Sequence, residues 1–305
     1  MSDSGVLDKL LDILWTQYKK RVPYAAQYQK MVEDRGGNVQ NDHIAFRTFN
    51  CRVGAQPPGV EGIARIFTAL GYQQKDNYLF PDKKLTAWHY EHESDPRNPK
   101  LFISQLEVDQ LPPATAALIE KSVSLAPDLL TPGDQDILRR LKETGLGPVQ
   151  AEALAKRLAQ FFVRPWVAPR RRDVEAADKD SQYAAWTLLH GNGVNHFTAY
   201  INEQRIKEWP DIEATVAILR AAGVPMKKEF EGERGSRLRK SSTTASMEDC
   251  EVVEDDGSKG TINWSYAYYE LAERGNVPGP DGSPTRFQGF LGAQATNLFE
   301  MTKRG

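Results

Sequence analysis

The stretch that decides the fold is NDHIAFRTF, residues 41–49, which returns in altered form as VNHFTAYI, residues 194–201. In each copy an Asn stands one or two positions before a His, and the His leads a run in which apolar residues alternate. A period of two is typical of a β-strand with one buried face. Two similar strands, each led by a His, predict two similar modules that share one site.

Length and charge limit the class of protein. A chain of 305 residues can hold two modules of ordinary domain size. The formal net charge of -2 gives no basic field for nucleic acid or an anionic membrane, so we predict neither partner. Two cysteines favour a reducing compartment. The N-terminus reads as neither signal peptide nor membrane span, so we predict a cytoplasmic protein.

The order of predicted elements gives four segments. Residues 1–38 show apolar residues at helical spacing and predict N-terminal helices. Residues 39–111 predict strand, helix and three strands, the first module. Residues 112–182 predict a helical insertion that ends in a charged connector over 170–179. Residues 183–305 repeat the strand, helix and three-strand order, with one long strand over 261–274 and a C-terminal lid helix.

Three residues at comparable points of the two modules are candidate metal ligands. His43 and His196 each stand at the start of a first strand, and Glu270 lies in a strand rich in aromatic residues, where an unpartnered carboxylate is costly to bury. Two imidazoles and one carboxylate form the facial set that leaves open positions on iron(II). Each residue alone is readily structural, Glu270 for example as an ion-pair partner of Arg274 or another cation, so the hypothesis depends on the repeat.

Four other residues compete for a metal role. His89 and His92 are three apart on a strand, so they point to opposite faces and do not bind one ion together. His190 precedes Gly191 and is interpreted as a loop residue or a partner of a ligand. Glu300 is a rival to Glu270 but falls on the predicted terminal helix.

Two resemblances follow from these motifs. The tail Tyr269-Glu270-Leu271-Ala272-Glu273-Arg274, with Gly289-Phe290-Leu291-Gly292 and Asn297-Leu298-Phe299 after it, is similar to 4-hydroxyphenylpyruvate dioxygenase, but Glu273 stands where that family has Gln. Over most of its length the chain resembles the 2-oxoadipate dioxygenase/decarboxylase family, within the vicinal oxygen chelate superfamily. The motif His43-Ile44-Ala45-Phe46-Arg47-Thr48 carries this resemblance, together with Asn195-His196-Phe197-Thr198 and Tyr269-Glu270.

The second resemblance implies a fold, a cofactor and a reaction. The fold is α+β, with two βαβββ modules that form a partly closed mixed β-barrel around a metal. His43, His196 and Glu270 would bind Fe(2+), and these three with Arg47 would be the catalytic residues. The implied reaction uses O2 to decarboxylate 2-oxoadipate to 2-hydroxyglutarate and CO2. The oligomeric state and the true substrate among 2-oxo acids stay open.

Three further residues are candidate substrate contacts. Arg47 is four residues after His43, an even offset that puts it on the same face about 13 Å along the strand. Its planar fork suits a distal carboxylate, as the resemblance also implies, although a structural ion pair would explain it too. Ser242 and Thr243 lie in a hydroxyl run over 241–244, which an exposed turn would also explain.

Two alternative functions keep the same fold. One is an oxygen-independent lyase or isomerase of the glyoxalase kind, using zinc, nickel or manganese with Gln105 or Glu107 as a fourth ligand. The other is a metal-free protein that binds small molecules. For the dioxygenase, the C-terminal segment is expected to act as a lid, with Gly289 and Gly292 as hinges.

Overall fold

A computed structural model of the chain describes residues 5–291, apart from the side chain of Lys142. The predicted terminal helix with Glu300, the Gly292 hinge and the segment 297–299 lie outside the described residues. No helix between residues 5 and 291 is long and apolar enough to cross a membrane. The division into four domains stays a prediction.

Two N-terminal helices pack behind the second module. They are α1 (Val6–Arg21) and α2 (Pro23–Glu33), and Pro23 starts α2 at a position where its missing N–H costs nothing. The apolar stripe of α1 is buried, as its spacing predicts. Trp15 packs on Phe197 and Tyr269, and the Tyr18 hydroxyl donates to the Tyr268 carbonyl. The helix therefore supports, from outside, the strands that carry two of the candidate ligands.

The first module has the predicted order of one strand, one helix and three strands. Its elements are β1 (Asn41–Phe49), α3 (Glu61–Ala69), β2 (Tyr72–Phe80), β3 (Leu85–His92) and β4 (Lys100–Leu106). β1 is buried along almost its whole length, because its outer face is covered by helices and its inner face lines the site.

The helical pattern predicted after residue 112 is confirmed, but the stretch 170–179 is mostly a helix rather than the predicted charged connector. The helices are α4 (Pro113–Val123), α5 (Pro132–Thr144), α6 (Pro148–Ala159), α7 (Arg171–Asp180) and α8 (Gln182–His190). The stretch 170–179 lies mostly in α7, whose Val174 and Ala177 are buried while its charges face outward. α8 was not predicted because it is buried from Tyr183 to His190 and so shows no polar face.

The second module departs from the first in how its strands are used. Its elements are β5 (Val194–Tyr200), α9 (Ile212–Ala221), β6 (Leu238–Ser242), β7 (Met247–Val253), β8 (Lys259–Ser265) and β9 (Glu270–Arg274), followed by the short pair β10 (Asn276–Pro278) and β11 (Pro284–Arg286). β7 and β8 form a separate hairpin sheet. The single strand predicted over 261–274 is therefore two strands. The chain leaves the ladder between them because backbone carbonyls there accept bonds from side chains of Tyr18 and Trp186.

One curled, half-barrel sheet unites both modules and confirms the α+β class. Its seven strands run in the order β2-β3-β4-β1-β5-β9-β6. β1 and β5, the two strands led by His, are antiparallel neighbours, and β9 pairs with β5 in parallel. β5 thus joins the two modules, and it also places His196 beside His43 on β1 and Glu270 on β9.

Candidate metal centre

Three neighbouring strands bring the predicted ligands together. His43 is on β1, His196 on β5 and Glu270 opens β9. Nε2 of His43 lies 3.4 Å from Nε2 of His196 and 3.3 Å from Oε1 of Glu270. One donor atom from each residue lies within 4.8 Å of the others, and all three side chains are buried. Among the described residues these side chains could hold one metal ion.

The residue before each His fixes its ring. Nδ1 of His43 lies 2.8 Å from Oδ1 of Asp42, and Nδ1 of His196 lies 3.1 Å from Oδ1 of Asn195. A carboxylate or amide oxygen there holds the ring proton on Nδ1, which leaves the Nε2 lone pair facing the centre. This is the usual support for a metal-binding His, and the signal in the sequence was the acceptor directly before each His.

Burial and charge prepare the donors for a cation. Burial lowers the pKa of His196 well below its usual value, against the opposing effect of Glu270, so the ring is neutral at neutral pH. Burial opposes ionisation of Glu270, but the Lys240 ammonium and the two imidazoles outweigh it and lower its pKa to about 2. Oε2 of Glu270 is buried and makes no hydrogen bond to any residue between 5 and 291. The neutral His196 ring and the ionised Glu270 carboxylate are in the states that a divalent metal needs, so the donor set fits one.

Arg274 pairs with Asp42 rather than with Glu270. Its Nε and Nη2 donate to the two carboxylate oxygens of Asp42, and Nη1 donates to the carbonyls of Phe287 (3.0 Å) and Gly289 (2.9 Å). The cation beside Glu270 is Lys240, with Nζ 3.7 Å from Oε2. Asp42 thus links the His43 ring to a buried Arg that also holds the segment after β11.

We expect Arg274→Met to lower the free energy of unfolding by about 3–5 kcal/mol, because it leaves the Asp42 carboxylate buried without its cation. Both side chains are at most 2% exposed. Urea unfolding at pH 7 measures the effect, and adding Asp42→Asn should recover part of it. A loss below about 1 kcal/mol would show that the pair is not important for stability.

The same pair has a defined pH dependence. Burial alone would raise the pKa of Asp42, but Arg274 and His43 hold it far below its usual range. The stabilisation is therefore complete above the unfolded value of about 4 and is lost as the pH falls below it. In Arg274→Met this acid-dependent loss should be smaller.

A small cavity joins the donors to Arg47. It is lined by His43, Arg47, His196, Lys240, Tyr268 and Phe290, with Ala45, Phe46, Phe102, Ser104, Asn195, Leu238 and Leu291. His43 and Arg47 thus face one space, as their even spacing predicts. The Arg47 guanidinium lies 4.9 Å from the ring centres of Tyr183 and Trp186 and is almost fully buried. Stacking on two rings fixes the plane of its fork.

The predicted hydroxyl contacts lie beside this cavity. Ser242 is opposite Glu270 in the β6–β9 pairing. The Thr243 hydroxyl accepts from the Tyr269 N–H and donates to the Thr244 carbonyl, so it serves the backbone. Among the described residues that line the cavity, neither occurs, whereas Lys240, which sequence reasoning missed, does.

Phe290 covers the cavity. Its ring centre is 4.9 Å from those of His43 and Phe102, and its N–H donates to the Tyr78 hydroxyl at 3.1 Å. The cavity volume is ≈ 20 Å³, about that of one water molecule. Any larger ligand therefore requires the segment that carries Phe290 to move.

The other histidines have structural partners. His89 contacts the Tyr78 hydroxyl at 3.0 Å and Glu91 at 3.4 Å, and His92 accepts from the Asp95 N–H. His190 is not in a loop but ends α8, where it meets Glu248 and Cys250. That second group is a poor metal site, because Arg21 pairs with Glu248 through two nitrogens and burial raises the pKa of Cys250 to about 12.

The fourth ligand required by the oxygen-independent alternative is engaged elsewhere. Oε1 of Gln105 accepts from the Val60 N–H at 3.2 Å, and its Nε2 donates to Glu107. Glu107 also accepts from Asn50 at 2.7 Å. Neither belongs to the group of donors around His43 in the described part of the chain.

Comparisons with known proteins agree with this geometry. The fold is similar to that of a glyoxalase superfamily protein from Ralstonia eutropha JMP134, with a TM-score of 0.83 and 25% identity over 90% of this chain and 84% of that one. It is also similar to hydroxyglutarate synthase from Oryza sativa, solved in complex with 2-oxoadipate, with a TM-score of 0.72 and 25% identity over 98% of this chain and 91% of that one. The fold and its buried donor set thus define a glyoxalase-like protein.

The sequence comparisons narrow the class. The profile of the 2-oxoadipate dioxygenase/decarboxylase family matches residues 7–300. The chain is 28% identical to the chloroplastic/amyloplastic 2-oxoadipate dioxygenase/decarboxylase of Oryza sativa subsp. japonica, over 93% of this chain and 75% of that relative. The protein therefore belongs to the 2-oxoadipate dioxygenase/decarboxylase family of enzymes.

Proposed function

We propose that this protein is an iron(II)-dependent dioxygenase that decarboxylates a 2-oxo dicarboxylic acid, first of all 2-oxoadipate to 2-hydroxyglutarate and CO2. The observation that carries the proposal is the buried donor group of His43, His196 and Glu270, whose two imidazoles line one cavity together with Arg47. Relatives in the family are named for this substrate, and one was solved in complex with it.

His43, His196 and Glu270 would hold the metal. When bound, iron(II) would supply the open coordination positions at which a 2-oxo acid and O2 react. Asp42 and Asn195 hold the two imidazoles with Nε2 facing the centre. Three protein donors, rather than four, suit a substrate that chelates through two oxygens.

Arg47 would bind the distal carboxylate of the substrate. A buried guanidinium whose plane is set by two rings loses little freedom when it forms a paired hydrogen bond with a carboxylate. The apolar side chains of Phe102, Leu238 and Phe290 keep water away from the reacting carbon. Movement of the Phe290 segment would admit the substrate, and Phe290 belongs to the C-terminal segment for which a lid role is predicted.

The iron(II)-loaded protein is expected to consume O2 and release CO2 in equal amounts with 2-oxoadipate. Uptake with 2-oxoglutarate and with 4-hydroxyphenylpyruvate should be slower, since the first is shorter by one carbon and the second has no distal carboxylate for Arg47. An oxygen electrode and trapped CO2 measure both quantities. Turnover of 2-oxoadipate without O2 would favour the oxygen-independent alternative instead, and no turnover of any 2-oxo acid would overturn the proposal.

The predicted cytoplasmic location stays a prediction, and the rice relative is named as a plastid protein.

A further inference from the structure

Lys240 stands in a buried row of charges beside the metal centre. It is the middle residue of β6, and its side chain is only 4% exposed. Its Nζ lies 3.4 Å from Oε2 of Glu231 on one side and 3.7 Å from Oε2 of Glu270 on the other. Glu231 and Lys240 also exchange both backbone hydrogen bonds, each N–H donating to the other carbonyl at 2.9 Å. The ammonium is therefore held in place from the side away from the centre.

The two oxygens of Glu270 have different surroundings. Oε1 faces the donors, 3.3 Å from Nε2 of His43 and 3.4 Å from the Thr198 hydroxyl. Oε2 faces Lys240 and, within the part of the chain that the structure describes, makes no hydrogen bond. The ammonium thus attracts the oxygen that points away from the centre and leaves the other oxygen for a metal.

We propose that Lys240 is a positioning residue that keeps Glu270 a one-oxygen ligand, so that two coordination positions stay open for the 2-oxo acid. This inference rests on the proposed function. Without the ammonium, Oε2 is free to turn inward, and a carboxylate that binds through both oxygens occupies a position that the substrate needs.

The proposal predicts opposite changes for metal and substrate. Lys240 repels a cation bound next to Glu270, so its removal should tighten metal binding. The same removal should weaken substrate binding, because Oε2 of Glu270 then fills a coordination position and a positive charge is lost from the cavity. If Lys240 were only a structural support for Glu270, its removal would instead lower the affinity for the metal, typically 10- to 100-fold for a residue that bonds to a ligand.

The experiment titrates metal-free protein with cobalt(II), an oxygen-tolerant probe, and then titrates the cobalt-loaded protein with 2-oxoadipate. For Lys240→Met we expect cobalt(II) to bind about tenfold more tightly and 2-oxoadipate at least about tenfold more weakly than in the wild type. The visible absorption of bound cobalt(II) should weaken, because its intensity falls as the coordination number rises.

Glu231→Gln is the matched control, since it alters the same buried row but retains the ammonium. It should not tighten cobalt(II) binding and should leave 2-oxoadipate affinity within about threefold of the wild type. Lys240 lies between Glu231 and Glu270, so the charge of Glu231 has little effect at the metal centre. The positioning role would be overturned if Lys240→Met bound cobalt(II) more weakly than the wild type. It would also be overturned if the variant bound 2-oxoadipate more weakly while its cobalt(II) affinity and absorption spectrum were unchanged. Failure of the wild type to bind cobalt(II) would instead contradict the proposed metal centre, so the two failures are distinguishable.

Discussion

The substitution His196→Ala is expected to reduce 2-oxoadipate turnover by about a thousandfold or more. It removes one of three donors and leaves His43 and Glu270, which cannot hold iron(II) firmly. Metal-assisted catalysis contributes several kcal/mol, and about 4 kcal/mol corresponds to a thousandfold in rate. The measurement pairs the rate of O2 uptake with the iron content of the purified protein, and both should fall together.

A matched control is His92→Ala, in the same sheet and of the same chemistry. His92 ends β3, accepts from the Asp95 N–H and takes no part in the donor group. It should retain iron and turnover, with at most a modest loss of stability. If His196→Ala bound iron as the wild type does while remaining folded, His196 would not be a ligand, and the other histidines would have to be tested in turn.

The site residues that could be predicted are those that a local pattern in the sequence identifies. Alternation of apolar residues identified β1 and β5, and the repeat of the His at the start of each pointed to a shared site. Because the two strands are neighbours, His43 and His196 meet across one pairing. Glu270 stood out as a carboxylate among tyrosines, whose burial requires a partner.

The parts that could not be predicted depend on contacts between distant residues. Asp42 and Arg274 are 232 positions apart, and no local spacing relates them. Lys240 resembles any strand lysine until β6 is seen to pair with β9. α8 was missed for a different reason: a helix buried on every side has no polar face, so its apolar run is as compatible with an extended approach to β5 as with a helix.

The break between β8 and β9 could not be predicted either, because it also depends on contacts with distant residues. The aromatic residues from Tyr266 to Tyr269 favour a strand by composition. The carbonyls of Tyr266 and Tyr268 instead accept from the Trp186 indole and the Tyr18 hydroxyl, which come from helices elsewhere in the chain. This tertiary bonding is what allows β9 to begin at Glu270 next to β5, and so it positions the third donor.

Arg47→Met is expected to change which acid the enzyme prefers. Removing one partner of a buried charge pair costs about 2–5 kcal/mol, so kcat/KM for 2-oxoadipate should fall by at least about thirtyfold. 2-Oxohexanoate has the same length but no distal carboxylate, so the same substitution removes no ionic contact with this acid. The kcat/KM for 2-oxohexanoate should therefore be nearly unchanged. The ratio of the two values, measured by O2 uptake, is therefore the diagnostic quantity.

The methionine side chain can still pack between Tyr183 and Trp186, so the fold should be retained, and urea unfolding checks this. Arg47→Lys is the informative companion variant. It keeps the charge but loses the flat fork and the stacking, so it should restore only part of the preference for the dicarboxylate. An equal loss for both acids in Arg47→Met would show that Arg47 supports the cavity wall. In that case another group, with Lys240 the first candidate because it lines the same cavity, would have to bind the distal carboxylate.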